Sequence, residues 1–154
     1  MRLLDRFSSF QQLQTGAVTA LRRFPLTLLC AIFGAVAAIM LVEEPGAETE
    51  QTLVRLLMTF GLGLPLFTAL TLFVEKRQWQ RPMALGCLGV GVVLLVAYYF
   101  SLPDEIMRRP ADLMRFVLLA LGFHFLVVCL PYIGGNQTRG FWQYNMTLFH
   151  RFLT

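Results

Sequence analysis

Residues 24–42 read FPLTLLCAIFGAVAAIMLV, 19 consecutive residues without a charged side chain. An α-helix rises about 1.5 Å per residue, so this stretch is long enough to cross the hydrocarbon core of a bilayer, which is about 30 Å thick. A buried helix of a soluble protein is usually shorter and keeps one polar face. The stretch therefore predicts a membrane-spanning helix.

Three further apolar stretches of similar length follow along the chain. They cover residues 53–74, 83–102 and 114–133, and the first and last of them carry an arginine near the start, Arg55 and Arg115. In lipid, only helices and closed β-barrels pair all backbone polar groups, and these stretches lack the period-two alternation of barrel strands. We predict an all-α fold, a polytopic transmembrane bundle of four spanning helices.

Composition supports a membrane protein and excludes other classes. Hydrophobic residues make up 56% of the chain and charged residues 14%, against about 25% charged residues in soluble domains. The net charge is only +4, and the basic residues flank the apolar stretches instead of forming a patch with stacking aromatic rings. The expected partner is the lipid bilayer, and no nucleic acid is expected.

The basic residues also predict the orientation, because loops rich in Lys and Arg stay in the cytoplasm. With four spans, nine basic residues fall on the side of the N-terminus and four on the opposite side. The first set is Arg2, Arg6, Arg22, Arg23, Lys76, Arg77, Arg81, Arg139 and Arg151, and the second is Arg55, Arg108, Arg109 and Arg115. We expect both termini in the cytoplasm.

Both terminal segments carry weaker helical patterns. In residues 1–23, apolar and polar side chains separate onto two faces, which predicts an interfacial helix on the inner leaflet, with a loosely ordered tail as the alternative. Residues 141–154 are expected to form an interfacial helix or the start of a fifth span. As a helix these 14 residues reach only about 21 Å, too short to cross the membrane alone.

No signature of an enzyme or a bound metal is found. The zinc-protease, serine-hydrolase, phosphate-loop and dinucleotide-binding motifs are missing from the sequence. Cys30, Cys87 and Cys129 are isolated within apolar stretches, where cysteine behaves as a small hydrophobic residue. We therefore predict no catalytic residues, no cofactor and no metal.

Small residues predict close helix contacts at two places, because they let neighbouring backbones approach. The two sets are Cys30, Gly34 and Ala38 on the first span, and Gly86, Gly89 and Gly91 on the third.

The second span contains a helix-breaking segment with Gly61, Gly63 and Pro65. Pro65 cannot donate a hydrogen bond to the carbonyl of Gly61, so a kink is expected. The kink is either structural or part of a gating or binding site. The second reading requires a matching break elsewhere in the chain, and none is visible.

His124 is an ionisable side chain expected near mid-membrane depth. A polar group in lipid is costly, so we expect the ring to face the bundle. Its role is either structural, through a hydrogen bond to a neighbouring helix, or functional, in proton relay or ligand contact.

The C-terminal tail resembles a known family. It contains a run of aromatic and polar residues that is similar to the hallmark of the domain of unknown function 4153 family, multi-pass membrane proteins of bacteria. The matching residues are Gly140, Phe141, Trp142, Gln143, Tyr144, Asn145 and Arg151, with further similarity at residues 24–29, 63–66 and 98–99. The resemblance implies an inner-membrane location and further helices after the tail. It implies no activity, substrate or catalytic residue.

Two functions remain open from the sequence. The first is a structural or interaction module that binds a membrane-protein partner or further helices of a longer chain. The alternative is a transport or channel element that uses Pro65 and His124. A polar crevice shared by these two residues would favour transport, and apolar packing around both would favour the interaction module.

Overall fold

A computed structural model describes residues 18–19, 21–43, 46–103, 110–133, 142–143, 145–147 and 150. Within these residues the chain is helical, and the predicted all-α fold is confirmed. In the described part of the chain, four helices are long and apolar enough to span a membrane. They are α1 (Pro25–Val42), α2 (Ala47–Arg77), α3 (Arg81–Ser101) and α4 (Pro110–Cys129), and a short 3₁₀ turn (Leu130–Tyr132) extends α4.

Helix α2 is longer than its apolar stretch. It begins at Ala47, six residues before the predicted start, and ends at Arg77. Its first turn contains Glu48 and Glu50, and its last turn contains Lys76 and Arg77. Acidic side chains near the start of a helix and basic side chains near its end interact favourably with the helix dipole. These polar residues therefore extend the helix instead of forming a loop. The 31 residues span about 46 Å, close to the full bilayer with its headgroups.

Helix α2 is the centre of the fold. It packs against α1, α3 and α4, whereas these three helices make at most isolated contacts with one another. In the most apolar 18-residue stretch of each helix, 44% of the residues are buried in α2, 11% in α1, 11% in α3 and none in α4. The molecule is therefore a helical bundle in which α2 lies at the centre and the other three helices pack on its surface.

Gly61, Leu62 and Gly63 lie where the surrounding helices approach α2. A Cβ atom on Gly63 would lie 2.6 Å from Sγ of Cys30 on α1 and 3.0 Å from Cδ1 of Leu95 on α3. A Cβ atom on Gly61 would lie 3.6 Å from the Phe116 ring of α4. Leu62, between the two glycines, is 1% exposed. Gly61 and Gly63 have no side chain, so three helices can contact this one segment of α2.

Close helix contacts were predicted at three glycines of the third span, and the structure has such a contact at only one of them. Gly91 is buried, and a Cβ atom there would meet Leu70 and Phe67 of α2. A Cβ atom on Gly86 or Gly89 would meet no atom within 4 Å among the described residues. The expectation of close contacts was wrong for these two glycines because they lie on the outward face of α3.

Three consecutive charged residues connect the end of α2 to other segments. Glu75 accepts hydrogen bonds of 2.6–2.8 Å from the guanidinium of Arg23, which precedes α1. Lys76 lies 5.1 Å from the centre of the Tyr132 ring, and Arg77 donates a 2.6 Å hydrogen bond to the carbonyl of Ile133. The start of α1, the end of α2 and the end of the 3₁₀ turn therefore lie at the same end of the molecule.

The predicted terminal helices fall largely outside the described residues. At the N-terminus the structure describes residues 18–19 and 21–23, which are helical. In the tail, the described residues 142–143, 145–147 and 150 are helical as well. The hydroxyl of Thr147 donates a 2.7 Å hydrogen bond to the carbonyl of Gln143, one turn earlier.

Candidate functional site

Two grooves flank α2, because the surrounding helices do not contact one another closely. The first, here called the α1–α3 groove, has a volume of about 380 Å³. Its lining carries no charged side chain and includes Phe33 and Phe60, whose rings stack at 5.5 Å. The other lining residues are Leu26, Leu29, Cys30, Leu56, Thr59, Phe67, Val92, Leu95, Val96, Tyr99 and Phe100.

The second groove, here called the α3–α4 groove, has the same volume of about 380 Å³. Most of its wall is aliphatic or aromatic, with Leu62, Leu66, Leu94, Leu95, Ala97, Leu119 and Phe123. One end differs, because Tyr98, Ser101 and Arg115 line it. The α3–α4 groove is therefore apolar along most of its length and polar at one end, whereas the lining of the α1–α3 groove carries no charge.

Tyr98, Asp112 and Arg115 form a polar cluster at this end, here called the Tyr98 cluster. Tyr98 interacts electrostatically with Arg115 and with Asp112. The hydroxyl of Tyr98 and Oδ2 of Asp112 are both buried, and neither has a hydrogen-bond partner among the described residues. Burying a polar atom without a hydrogen-bond partner costs free energy, so these two atoms destabilise the folded chain.

Sequence reasoning missed this cluster. Tyr98 stands near the end of an apolar stretch, where an aromatic residue suits the membrane interface. Its hydroxyl is instead buried next to residues of α2 and α4. Arg115 was used only to predict orientation. One signal was available, because Asp112 and Arg115 are three residues apart and therefore lie on the same face of a helix.

His124 does not face the bundle. Its side chain is exposed on α4, so the expectation that the ring faces the bundle was wrong. Nδ1 lies 2.7 Å from the carbonyl oxygen of Ala120, one turn earlier on the same helix. A carbonyl only accepts hydrogen bonds, so Nδ1 carries the proton and donates. In the neutral ring, Nε2 then holds a lone pair that points away from its own helix.

The predicted kink segment occupies the interior. Pro65 is buried, and the helical assignment runs through it without a break. Gly61 and Gly63 serve the helix contacts described above, which favours the packing interpretation of this segment. The kink itself stays a prediction. Among the described residues, neither Pro65 nor His124 lines the α1–α3 groove or the α3–α4 groove.

The family-like tail motif cannot be assembled from the described residues. Trp142, Gln143 and Asn145 are described and helical, and the Trp142 side chain is exposed. The remaining motif residues, Gly140, Phe141, Tyr144 and Arg151, lie outside the described residues.

The described residues contain no group of three or more His, Cys, Asp or Glu side chains that could hold a metal ion. Cys30 is buried, Cys87 is partly buried and Cys129 is exposed, each as a free thiol. Comparison of the chain with family models, curated proteins and solved structures gave no match. The resemblance to the domain of unknown function 4153 family therefore stays a prediction.

Proposed function

We propose that the chain is a non-catalytic interaction module of the bacterial inner membrane, in which α2 holds three helices that present their outward faces to further transmembrane helices. The observation that carries this proposal is the exposed position of His124. An apolar outward face is satisfied by lipid alone, but an imidazole on that face is not, because hydrocarbon offers it no hydrogen bond. A partner helix would supply that bond.

The side of α4 that the partner would cover follows from helix geometry. Arg115 lies on the side of the α3–α4 groove, and His124 follows it by nine residues. At 100° per residue this separation is half a turn around the helix, so His124 lies on the opposite side of α4. His124 is exposed and, among the described residues, α1 and α4 make at most isolated contacts, so no described helix covers that side of α4.

The chemistry of His124 restricts the partner. Nδ1 donates to Ala120, so Nε2 needs a hydrogen-bond donor. Two copies that met at His124 would bring two lone pairs together, which disfavours a symmetric contact through this residue. The partner that fits is a transmembrane helix with a hydroxyl, amide or indole donor at the same depth.

The proposal is testable by photo-crosslinking in intact membranes. A photo-crosslinking residue in place of Leu121, which is exposed one turn before His124, is expected to form a discrete product with one polypeptide. His124→Leu in the same chain is expected to weaken that product about threefold, since an interhelical hydrogen bond in a membrane contributes about 0.6 kcal/mol. Partners are then identified by mass spectrometry of the product.

The matched control is the same probe in place of Val93, on the outward face of α3, which is expected to give no product that depends on His124. Identical products from both positions, or a product at Leu121 that His124→Leu leaves unchanged, would contradict the proposal. Transport is not proposed, because Pro65 and His124 do not meet in a crevice of the described residues.

The orientation belongs to the same proposal. Arg23, Lys76 and Arg77 lie at one end of the molecule through the contacts around Glu75 and Ile133. Together with the excess of basic residues on this side of the sequence, their grouping supports a cytoplasmic N-terminus.

A further inference from the structure

The length of the α3–α4 groove is similar to the hydrocarbon thickness of one lipid leaflet. Along α4 it extends from Arg115 to Phe123, eight residues or about 12 Å. Half of a hydrocarbon core of about 30 Å is about 15 Å. The polar end of the groove also coincides with the end of α3, whose last residue is Ser101. The groove therefore runs from near the membrane surface towards the bilayer centre, in the direction of an acyl chain.

The groove is too small to enclose a whole helix. A bare helix about 10 Å wide and 12 Å long occupies roughly 900 Å³, whereas the groove measures about 380 Å³. A single hydrocarbon chain is much thinner than a helix. The leucine side chains and the Phe123 ring that line the groove provide the apolar contacts such a chain requires.

The polar end of the groove carries a positive charge. This charge favours a phospholipid over an uncharged lipid, because a phospholipid carries a negative phosphate. Arg115 lines this end of the groove and is an exposed residue. Guanidinium groups bind phosphate oxygens through paired, charge-assisted hydrogen bonds. Ser101 lines the same end, although its hydroxyl donates to the carbonyl of Tyr98.

From this geometry we propose that the α3–α4 groove binds one phospholipid, with an acyl chain along the groove and the phosphate on Arg115. The proposal is independent of the partner site at His124, which lies on the opposite side of α4. The α1–α3 groove provides an internal comparison, because it has the same volume but no charged residue in its lining.

The test is native mass spectrometry of the full chain released from nanodiscs. The discs contain equal parts of phosphatidylethanolamine, phosphatidylglycerol and diacylglycerol. The wild-type chain is expected to retain one phospholipid and no diacylglycerol. Arg115→Gln is expected to lower phospholipid retention about tenfold, as for a lost charge-assisted contact. Arg115→Lys keeps the charge and is expected to retain an intermediate amount.

A second pair of variants tests the groove itself. Ala97→Phe fills the α3–α4 groove and is expected to abolish retention, whereas Val96→Phe fills the α1–α3 groove and is expected to leave retention unchanged. Arg81→Gln, at the opposite end of α3, is the charge control. Thermal unfolding in detergent confirms that each variant is folded, and Arg115→Lys replaces any Arg115→Gln protein that is not.

Three results would overturn the proposal. Equal losses from Arg115→Gln and Arg81→Gln would show a general effect of charge. Retention that survives Ala97→Phe would place the lipid elsewhere. Diacylglycerol retained as well as phospholipid would remove any role for the phosphate. The two phospholipids separately report whether the headgroup beyond the phosphate matters, and retention of either one through Arg115 supports the site.

Discussion

Helices α2 and α4 are both long, apolar and able to span a membrane, yet their surroundings differ completely. In the most apolar stretch of α2, 44% of the residues are buried, and in that of α4 none are. Since lipid tails are as apolar as leucine, the hydrophobic effect does not bring helices together inside a membrane. We infer that α2 is the central helix because its small residues allow other helices to pack closely against it.

The same contrast holds for two glycines that look alike in the sequence. Gly63 on α2 contacts α1 and α3, whereas no described atom lies within 4 Å of the place where a Cβ atom on Gly89 of α3 would lie. If packing selects the central helix, a side chain at Gly63 should separate three helices, and a side chain at Gly89 should only meet lipid.

The largest expected effect is therefore that of Gly63→Leu. The added Cβ atom would lie 2.6 Å from Sγ of Cys30, and the rest of the leucine would have no room between Cys30 and Leu95. Overpacking of this kind costs about 3 kcal/mol. The free energy of unfolding, measured by SDS titration in mixed micelles, gives the loss. Gly89→Leu is the control, with an expected change within about 0.5 kcal/mol. Equal losses at both glycines would refute the central role of α2.

A smaller effect is expected for removing a side chain from the interior. Leu62 is 1% exposed, and Leu62→Ala leaves a cavity that neighbouring side chains fill only in part. Because no transfer from water is involved, we expect a loss of about 2 kcal/mol, below the value for most soluble cores. Leu118→Ala on the exposed face of α4 should change the free energy of unfolding little. A larger loss at Leu118 than at Leu62 would mean that α4 is buried in an assembly under the conditions of the measurement.

The sequence was sufficient for the four helices. Their apolar stretches are set by the thickness of the bilayer, and proline stands in the first turn of α1 and α3 and at the first residue of α4. The start of α2 was missed because Glu48 and Glu50 suggest a loop when they are considered only as polar residues. Near a helix N-terminus the same acids are stabilising.

The arrangement of the helices could not be predicted, and neither could the grooves. A residue that faces lipid and a residue that faces another helix are both apolar, so periodicity does not distinguish Leu62 from Leu118. The Tyr98 cluster was missed for a related reason. An aromatic residue near a helix end fits an interfacial belt, and only the packing of α2 and α4 shows that the Tyr98 hydroxyl is buried.

One contact between α1 and α2 is polar and joins Thr27 to Thr68. The hydroxyl of Thr68 donates a 2.7 Å hydrogen bond to the carbonyl of Leu64 in its own helix. Its oxygen lies 3.4 Å from the hydroxyl of Thr27 on α1. Because the Thr68 proton is already used, Thr27 is the donor in this pair and Thr68 the acceptor.

Thr27→Val removes this interhelical hydrogen bond while keeping the volume of the side chain. Such bonds contribute about 0.6 kcal/mol on average in membranes, so the expected loss is about one third of that for Leu62→Ala. A double-mutant cycle with Thr68→Val isolates the pairwise term, because Thr68→Val alone also removes the bond to Leu64. Thr52→Val is the control, since the Thr52 hydroxyl donates within its own helix, to Glu48. A coupling energy near zero would show that this hydrogen bond does not hold α1 to α2, and a value above the Leu62→Ala loss would make it a main attachment of α1.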